Sequence, residues 1–510
     1  MKPLLSTLFL LTTAVSQAVE KPNIIVIMAD DLGYGDVSCY GATAIKTPNI
    51  DKLASEGQRF TSGYCSASTC TPTRYSMLTG TYAFRTPGTG IAPPNGPAII
   101  RPGTTTLPSL MQDAGYKTAV IGKWHLGLGD EKPDWNGDLK PGPLEIGFDH
   151  CFLLPTTNDR VPQVYVEDHR IPNLDPADPL YVSNKPLSPN DPNGIDNRSE
   201  LKMDWTHGHN NTIHNGISRI GFYSGGNAAR FRDEDLADKW IERSNLFIEE
   251  NKDKPFFLFF ASHDVHVPRM PHERFHGKSG LGFRGDSILQ LDWCVGELMK
   301  TLERLDLDEN TLVVFCSDNG PVLDDGYADG AISQLGDHHP AGPFTGGKYT
   351  VFEGGTRTPF ITRWKGKIPA GTSENIVCTI DFAASFAAMT GSSIPDDQCR
   401  DSFNVLPALL GEENAQGREH LLQQENGNKG LKGEFGLRSG DWKLVRSFHK
   451  EPTSELKHDR PAPGLDKVHT IYKLSEDPAE ENDLSEENPA KLKELVSKLD
   501  EILAAERTRP

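Results

Sequence analysis

Four polar clusters in the 510-residue sequence each follow an apolar run. Asp30-Asp31 closes the run Asn23 to Met28, and Lys123-Trp124-His125 follows Lys117 to Ile121. His263-Asp264-Val265-His266 follows Phe256 to Phe260, and Asp318-Asn319 follows Thr311 to Cys316. Asp30, Asp31, Asp318 and Asn319 together offer four oxygen-bearing side chains, which suit a hard cation such as Ca²⁺ or Mg²⁺, and no nearby Cys/His cluster points to zinc. One Asp-Asp pair alone is also what a solvated turn or a helix cap contains, so the weight rests on several clusters meeting. Cys70 opens Cys70-Thr71-Pro72-Thr73-Arg74. Pro72 is a natural first helical residue, which would put Cys70 just outside a helix N-terminus, where the dipole and free N–H groups favour an anion. The residues alone leave two options for Cys70, a disulfide to Cys65 or a reactive thiol. Lys348 stands after Gly346-Gly347 and ahead of Glu353-Gly354-Gly355.

Unbroken apolar runs of this kind suit strands covered on both faces, as in a parallel sheet. Helical segments lie between them: one from Thr47-Pro48 to Gly57, one from Thr106 to Gly115, and one carrying Ile288, Leu291, Val295, Leu298, Met299, Leu302 and Leu305 at helical spacing. Alternation of strand and helix implies a large doubly wound α/β sheet, whose sites gather at the carboxyl ends of the strands. The four clusters, spread over about 290 residues, are therefore expected to converge on one cleft. Pro155 to Gly226 is rich in Pro, Asn, Asp and His and reads as a loop insertion over that cleft. From about Leu421 the composition shifts to two antiparallel-strand patterns, Gly436–Val445 and His469–Leu474, and a terminal helix with Leu492, Leu495, Val496, Leu499, Ile502 and Leu503 on one face. The expected organisation is a catalytic domain over 19–420, with the insertion at 155–226, and a smaller α+β domain over 421–510.

Lys and Arg number 52 against 71 Asp and Glu, a formal charge of −19, which excludes a nucleic-acid partner because such proteins need a basic footprint. Met1-Lys2-Pro3, the apolar run Leu4 to Val15 and Ser16-Gln17-Ala18 read as a signal peptide over residues 1–18. That run is too short to span a bilayer, and no later stretch reaches 18 apolar residues. A periplasmic or secreted protein without a membrane anchor is expected. Eight cysteines in an exported chain permit disulfides, but irregular spacing without Cys-x-x-Cys argues against a structural zinc site.

Cys70-x-Pro72-x-Arg74 followed by Leu78-Thr79-Gly80 resembles the signature of the formylglycine-dependent (type I) sulfatases, arylsulfatase-like members of the alkaline phosphatase superfamily. Gly115–Thr118 with Gly122–Gly127 resembles the family's second signature, and Gly346–Lys348 with Glu353–Pro359 its catalytic-lysine segment. His266-Val267-Pro268, Arg438–Lys443 and Leu474–Glu480 match further family markers. Thr73 stands where Ser is common, at a variable position. The resemblance implies an alkaline-phosphatase-like fold and conversion of Cys70 to 3-oxoalanine (formylglycine) by a formylglycine-generating enzyme. It implies Ca²⁺ held by Asp30, Asp31, Asp318 and Asn319 and bound also by residue 70. It further implies Arg74, Lys123 and Lys348 as donors to the sulfate, His266 or Lys348 as proton donor to the leaving oxygen, and His125 as base for release of sulfate. Asn158-Asp159-Arg160-Val161-Pro162 and His207-Gly208-His209 resemble specificity segments of bacterial carbohydrate sulfatases, some acting on galactose-type sugars, so Arg160, His207 and His209 are expected to bind a sulfated carbohydrate. Two other readings are a phosphodiesterase or phosphonate hydrolase of the same superfamily, and a glycan-binding protein with an unconverted Cys70.

Overall fold

The computed structural model describes residues 21–188, 191–447 and 469–510; the expected signal peptide lies outside them. The main sheet has nine strands among the described residues. Its centre is five parallel strands in the order Thr311–Ser317, Asn23–Ala29, Phe256–Ala261, Lys117–Lys123 and His150–Leu154. Antiparallel Val166–Glu167 flanks one side, and Ile361–Arg363, Gln58–Phe60 and Gly371–Ser373 the other. Register decides where the chemistry falls. Ala29 pairs with Ser317, Met28 with Ala261, Ala261 with Gly122, and Lys123 with Leu154. The carboxyl ends of all five strands therefore finish at one level, and the polar cluster beyond each reaches the same edge.

Both faces of the sheet are covered, which is why its strands read as continuous apolar runs. Ile24, Val26 and Met28 pack with Met77 and Leu78 of the helix Cys70–Thr79, Leu107 and Met111 of Leu107–Asp113, and Phe382 and Phe386 of Phe382–Thr390. Ile25, Ile27 and Ala29 pack on the other side with Ile50 and Leu53 of Pro48–Ser55, Trp240 and Ile248 of Leu236–Asn251, and Ile288 and Leu298 of Gly282–Arg304. Thr106 caps its helix by accepting from Ser109 N at 3.2 Å. The segment 155–226 is more ordered than a loop. Val166–Glu167 joins the main sheet, Tyr181–Ser183 pairs with Phe222–Ser224, and Ile213–His214 pairs with Ile217–Ser218. Pairs of two or three residues are too short to show a period in sequence.

The strands His420–Gln424, Phe435–Ser439, Trp442–Arg446 and His469–Lys473 form a second, antiparallel sheet covered by the helix Pro489–Ala504. Its core takes in Tyr64, Ile376 and Ile380 from the larger part, so the two sheets share apolar contacts. Polar contacts bridge the same seam. Ser68 N donates to Gln424 O at 2.9 Å, and the Ser68 and Thr69 hydroxyls each donate to Glu425 O at 3.3 Å. Glu353 is fully buried there, accepting from Lys443 Nζ at 2.9 Å, Tyr64 OH at 2.5 Å and Arg357 Nη1 at 3.2 Å, while its own N–H donates to Glu480 Oε2 at 2.6 Å. Burial works to raise Glu353, but Lys443 and then Arg357 and Arg438 outweigh it and hold the carboxyl well below its usual range. Burial pushes Glu480 the other way, up to about 8, with Lys443 offsetting only part.

Candidate active site

Cys70 is the first residue of its helix, which ends where Gly80, at φ 59°, returns its N–H to Ser76 O at 2.8 Å. All eight cysteines are free thiols. Cys65 lies 3.2 Å from Ala67 O and 3.3 Å from Thr356 O, so the disulfide option for Cys70 falls away. Cys70 Sγ instead lies 3.2 Å from His125 Nδ1. The other ring nitrogen of His125 donates to Ala92 O at 3.0 Å. A carbonyl can only accept, so Nε2 carries the hydrogen and the Nδ1 lone pair faces residue 70. Burial, then Lys123 and Arg160, holds His125 well below its usual value, which keeps it neutral. Its φ of 55° turns the ring out of the strand direction and back over the head of the Cys70 helix.

The acids meet beside this pair. Asp30, Asp31, Asp318 and Asn319 are all fully buried. Lys123 Nζ donates to Asp30 Oδ2. Arg74 donates to Asp318 Oδ2 through Nε at 2.9 Å, with Nη2 at 2.8 Å, and to Lys123 O at 3.1 Å. Asn319 Nδ2 donates to Asp31 Oδ1 at 2.7 Å, and Lys348 Nζ to Asp31 Oδ2 at 2.9 Å. Asp30 Oδ1 and Asn319 Oδ1 are buried without a hydrogen-bond partner among the described residues, and ligand atoms of Asp30, Asp31 and His266 lie within 4.8 Å of one another. Burial and then Asp318 push the Asp30 carboxyl well above its usual range. Converging oxygens, mutual repulsion and two unmet acceptors fit a hard divalent cation.

His266 and Lys348 complete the edge. His266 Nδ1 donates to Val267 O at 2.7 Å, leaving Nε2 without a proton, 3.9 Å from Asp31 Oδ2. Burial, then Lys348 and Lys123, lowers His266 to about 3. Burial would lower Lys348 as well, but Asp31 and Asp325 outweigh it and hold the amine charged. On the side of the insertion, Arg160 Nη1 donates to Asp159 Oδ2 at 2.8 Å and Thr157 Oγ1 at 3.1 Å. His209 is buried, with Nε2 3.0 Å from Asp159 Oδ2, Nδ1 donating to His207 O at 2.8 Å, and its ring against Tyr327. His207 faces outward, its side chain half exposed beside Thr206 and Asp324.

Comparison with known proteins gives the family. Residues 22–392 match the Sulfatase family model, and residues 346–509 match the model of the N-sulphoglucosamine sulphohydrolase C-terminal region. The chain belongs to the sulfatase family. It is 45% identical over 502 residues to an N-acetylgalactosamine-6-O-sulfatase of Bacteroides thetaiotaomicron, covering 97% of this chain and 94% of the relative. It is 31% identical over 485 residues to human arylsulfatase A, covering 93% and 86% of the two chains. A solved structure described as part of the metabolism of multiple glycosaminoglycans by B. thetaiotaomicron superposes with a TM-score of 0.90 at 44% identity, covering 95% of this chain and all of that one. The protein is thus a sulfuric ester hydrolase on the expected alkaline-phosphatase-like α/β fold.

In this sulfatase the structure brings together Cys70, Arg74, Lys123, His125, His266 and Lys348 with the oxygen-bearing side chains of Asp30, Asp31, Asp318 and Asn319, and joins Arg160 to His209 through Asp159. It leaves His207 at the rim. Sequence reasoning did not single out Asp325 or Tyr349, which stand beside Lys348. Asp325 accepts from Lys348 Nζ at 2.7 Å and from Tyr349 OH at 3.0 Å. Asp324-Asp325-Gly326 looks like any acidic turn, and nothing in its spacing ties it to Lys348. Trp124 is buried against Phe148, as packing.

Proposed function

We propose that this carbohydrate sulfatase removes 6-O-sulfate from N-acetylgalactosamine-type residues of sulfated glycans, outside the cytoplasm, using an oxidised Cys70 and Ca²⁺. One observation carries the reading: Cys70 heads a helix 3.2 Å from the unprotonated Nδ1 of His125, at the edge where four buried oxygen-bearing side chains meet. The name of the relative at 45% identity supports the sugar and the position. Export is supported by the apolar run Leu4 to Val15, and no helix among the described residues is long and apolar enough to cross a membrane.

Asp30, Asp31, Asp318 and Asn319 would hold Ca²⁺, which supplies positive charge to the sulfate oxygens. Oxidation of Cys70 to formylglycine by a dedicated enzyme supplies a hydrated aldehyde, a nucleophile with a second hydroxyl through which sulfate can be expelled. The chain's own residues do the rest. Arg74 and Lys123, anchored on Asp318 and Asp30, place fixed charge beside residue 70. His125 accepts a proton from residue 70 through Nδ1. Lys348 is the proton donor to the ester oxygen, because His266 has committed its hydrogen to Val267 O and presents a bare Nε2. Arg160, tied to Asp159, faces the sugar.

Co-expression with a formylglycine-generating enzyme, followed by mass analysis of the peptide carrying residue 70, tests the nucleophile. The peptide is expected to lose its sulfur in proportion to activity, with N-acetylgalactosamine 6-sulfate turned over well ahead of the 4-sulfate and of N-acetylglucosamine 6-sulfate. Full activity with an intact thiol would overturn the mechanism, and preference for either other sugar would overturn the substrate.

A further inference from the structure

Lys348 Nζ has three N–H bonds and two fixed acceptors, Asp31 Oδ2 at 2.9 Å and Asp325 Oδ2 at 2.7 Å. Asp31 stands with the oxygen ligands. Asp325 belongs to the turn 324–328, which the insertion grips from both sides. Thr206 N donates to Gly326 O at 2.9 Å, Ala328 N to Asp204 O at 2.9 Å, and Tyr327 OH to Ser218 O at 2.7 Å. Gly326, at φ 104°, has no room for a Cβ, which would lie 1.8 Å from His209 Nδ1. The Asp325 carboxylate therefore sits at the tip of a braced turn, with its second oxygen occupied by Tyr349 OH at 3.0 Å. Two fixed acceptors on a tetrahedral ammonium leave one direction for the third N–H. Without Asp325 the ammonium turns about its remaining contact with Asp31, and that direction is lost.

We propose that Asp325 is a positioning residue for leaving-group protonation: it aims the third N–H of Lys348 at the ester oxygen. The inference rests on the reading of Lys348 as proton donor. As the sulfur–oxygen bond breaks and the sulfuryl group passes to a hydroxyl oxygen of hydrated residue 70, whose proton goes to His125 Nδ1, the broken bond's electron pair stays on the sugar oxygen. That oxygen takes one proton from Nζ, and the neutral amine regains a proton from water. Asp325 itself touches no substrate atom. Through the turn it also links the sugar-side insertion to the donor, so the same segment that carries Arg160 sets the angle at which Lys348 works.

The test uses the matured, Ca²⁺-loaded enzyme with a sugar sulfate, whose alcohol needs a proton to leave, and 4-nitrophenyl sulfate, whose phenolate departs unaided. Asp325→Asn is expected to lower kcat on the sugar sulfate about 50-fold and on the aryl sulfate less than about 5-fold, with KM on either within about 2-fold. Asp325→Asn combined with Lys348→Ala is expected to be no slower than Lys348→Ala alone, within about 2-fold, because one acts through the other. Equal losses on both substrates, or independent losses in the double variant, would overturn the role of Asp325. If Lys348→Ala shows no dependence on the leaving group, the reading of Lys348 fails first and takes this inference with it. Should Asp325→Asn not fold, Tyr349→Phe decides: releasing the second oxygen is expected to cost about 3- to 5-fold on the sugar sulfate only, and equal losses overturn the proposal.

Discussion

At the seam between the two sheets, Glu353 lies among Tyr64, Arg357 and Lys443 with both oxygens taken, whereas at the ends of the central strands Asp30 Oδ1 and Asn319 Oδ1, equally buried, meet no partner. Both regions bury several charges in a space closed to water. They differ in how the surplus is settled. The seam uses cations from its own chain, and a proton retained on Glu480. The cleft also brings its own cations, Lys123, Arg74 and Lys348, yet leaves Asp30 Oδ1 and Asn319 Oδ1 without a partner among the described residues. Buried polar groups are nearly always satisfied, so acidic and amide oxygens left unmet side by side fit something that arrives from outside. Buried charge alone therefore does not mark a catalytic centre, and neither does a single unmet oxygen, since Glu480 Oε1 and Gln423 Oε1 also lack a partner at the seam among the described residues; the gathering of Asp30, Asp31 and His266 ligand atoms within 4.8 Å sets the cleft apart.

Closing the open cluster wrongly is expected to have the largest effect. Asp318→Asn removes a carboxylate that Arg74 grips, and activity is expected to fall roughly 10³-fold. The thermal midpoint of the unaltered protein is expected to rise on adding Ca²⁺, since a ligand of the folded state stabilises it. No such rise is expected in the variant. A wild-type midpoint indifferent to Ca²⁺ and to chelator would remove the distinction between the two regions.

Opening the closed cluster is the converse, and its effect is on stability. Lys443→Met leaves Glu353 and Glu480 facing each other without the ammonium between them, a loss of about 3–5 kcal/mol for a broken buried pair, measured by denaturant unfolding. A variant as stable as the parent would show that the seam does not depend on its ion pairs. A second effect, spread over several pH units, comes from Glu480 itself. Its folded-state value of about 8 stands above the usual 4.5, so the folded protein holds this proton more tightly than the unfolded chain. The resulting stability is complete below pH 4.5 and is lost as pH rises to 8, by at most about 1.4 kcal/mol per pH unit. Glu480→Gln keeps the acceptor for Glu353 N and removes the titration, so unfolding free energy between pH 5 and 8 is expected to fall less steeply than in the parent. Parallel slopes would refute the assignment. The smallest change is expected at the rim: His207, with a half-exposed side chain, should alter KM for a sugar sulfate by no more than about 2-fold when replaced by Ala, and a tenfold rise would make it a substrate contact.

The convergence of the cleft was legible because strands buried on both faces leave unbroken apolar runs, and each run ended in a polar cluster. Gly80 ends the Cys70 helix as its place in the sequence implies, but the helix opens at Cys70 itself, two residues ahead of Pro72, with Thr69 preceding it. Asp325 was not legible, because its partner Lys348 comes to it only through the folded turn 324–328. The insertion was read as a loop because its ladders are two or three residues long. His125 was placed by its neighbours, but its tautomer depends on Ala92 O, a main-chain atom whose position no sequence pattern encodes. The second sheet was legible as strands and a helix, yet its shared core with Tyr64, Ile376 and Ile380 was not, since apolar periodicity names a buried face without naming what covers it.

The hydrogen bonds from Ser68 and Thr69 to Gln424 and Glu425 have a meaning in time. A ribosome adds about 5–20 residues per second, so the strand that closes over the segment before Cys70 is made about 20–70 seconds after Cys70 itself. Throughout that interval the helix head lacks its final cover, and the conversion proposed for Cys70 would have to act on the chain within it. The order of synthesis thus gives any chemistry on this cysteine a deadline, set by the distance along the chain between a nucleophile and its last neighbour.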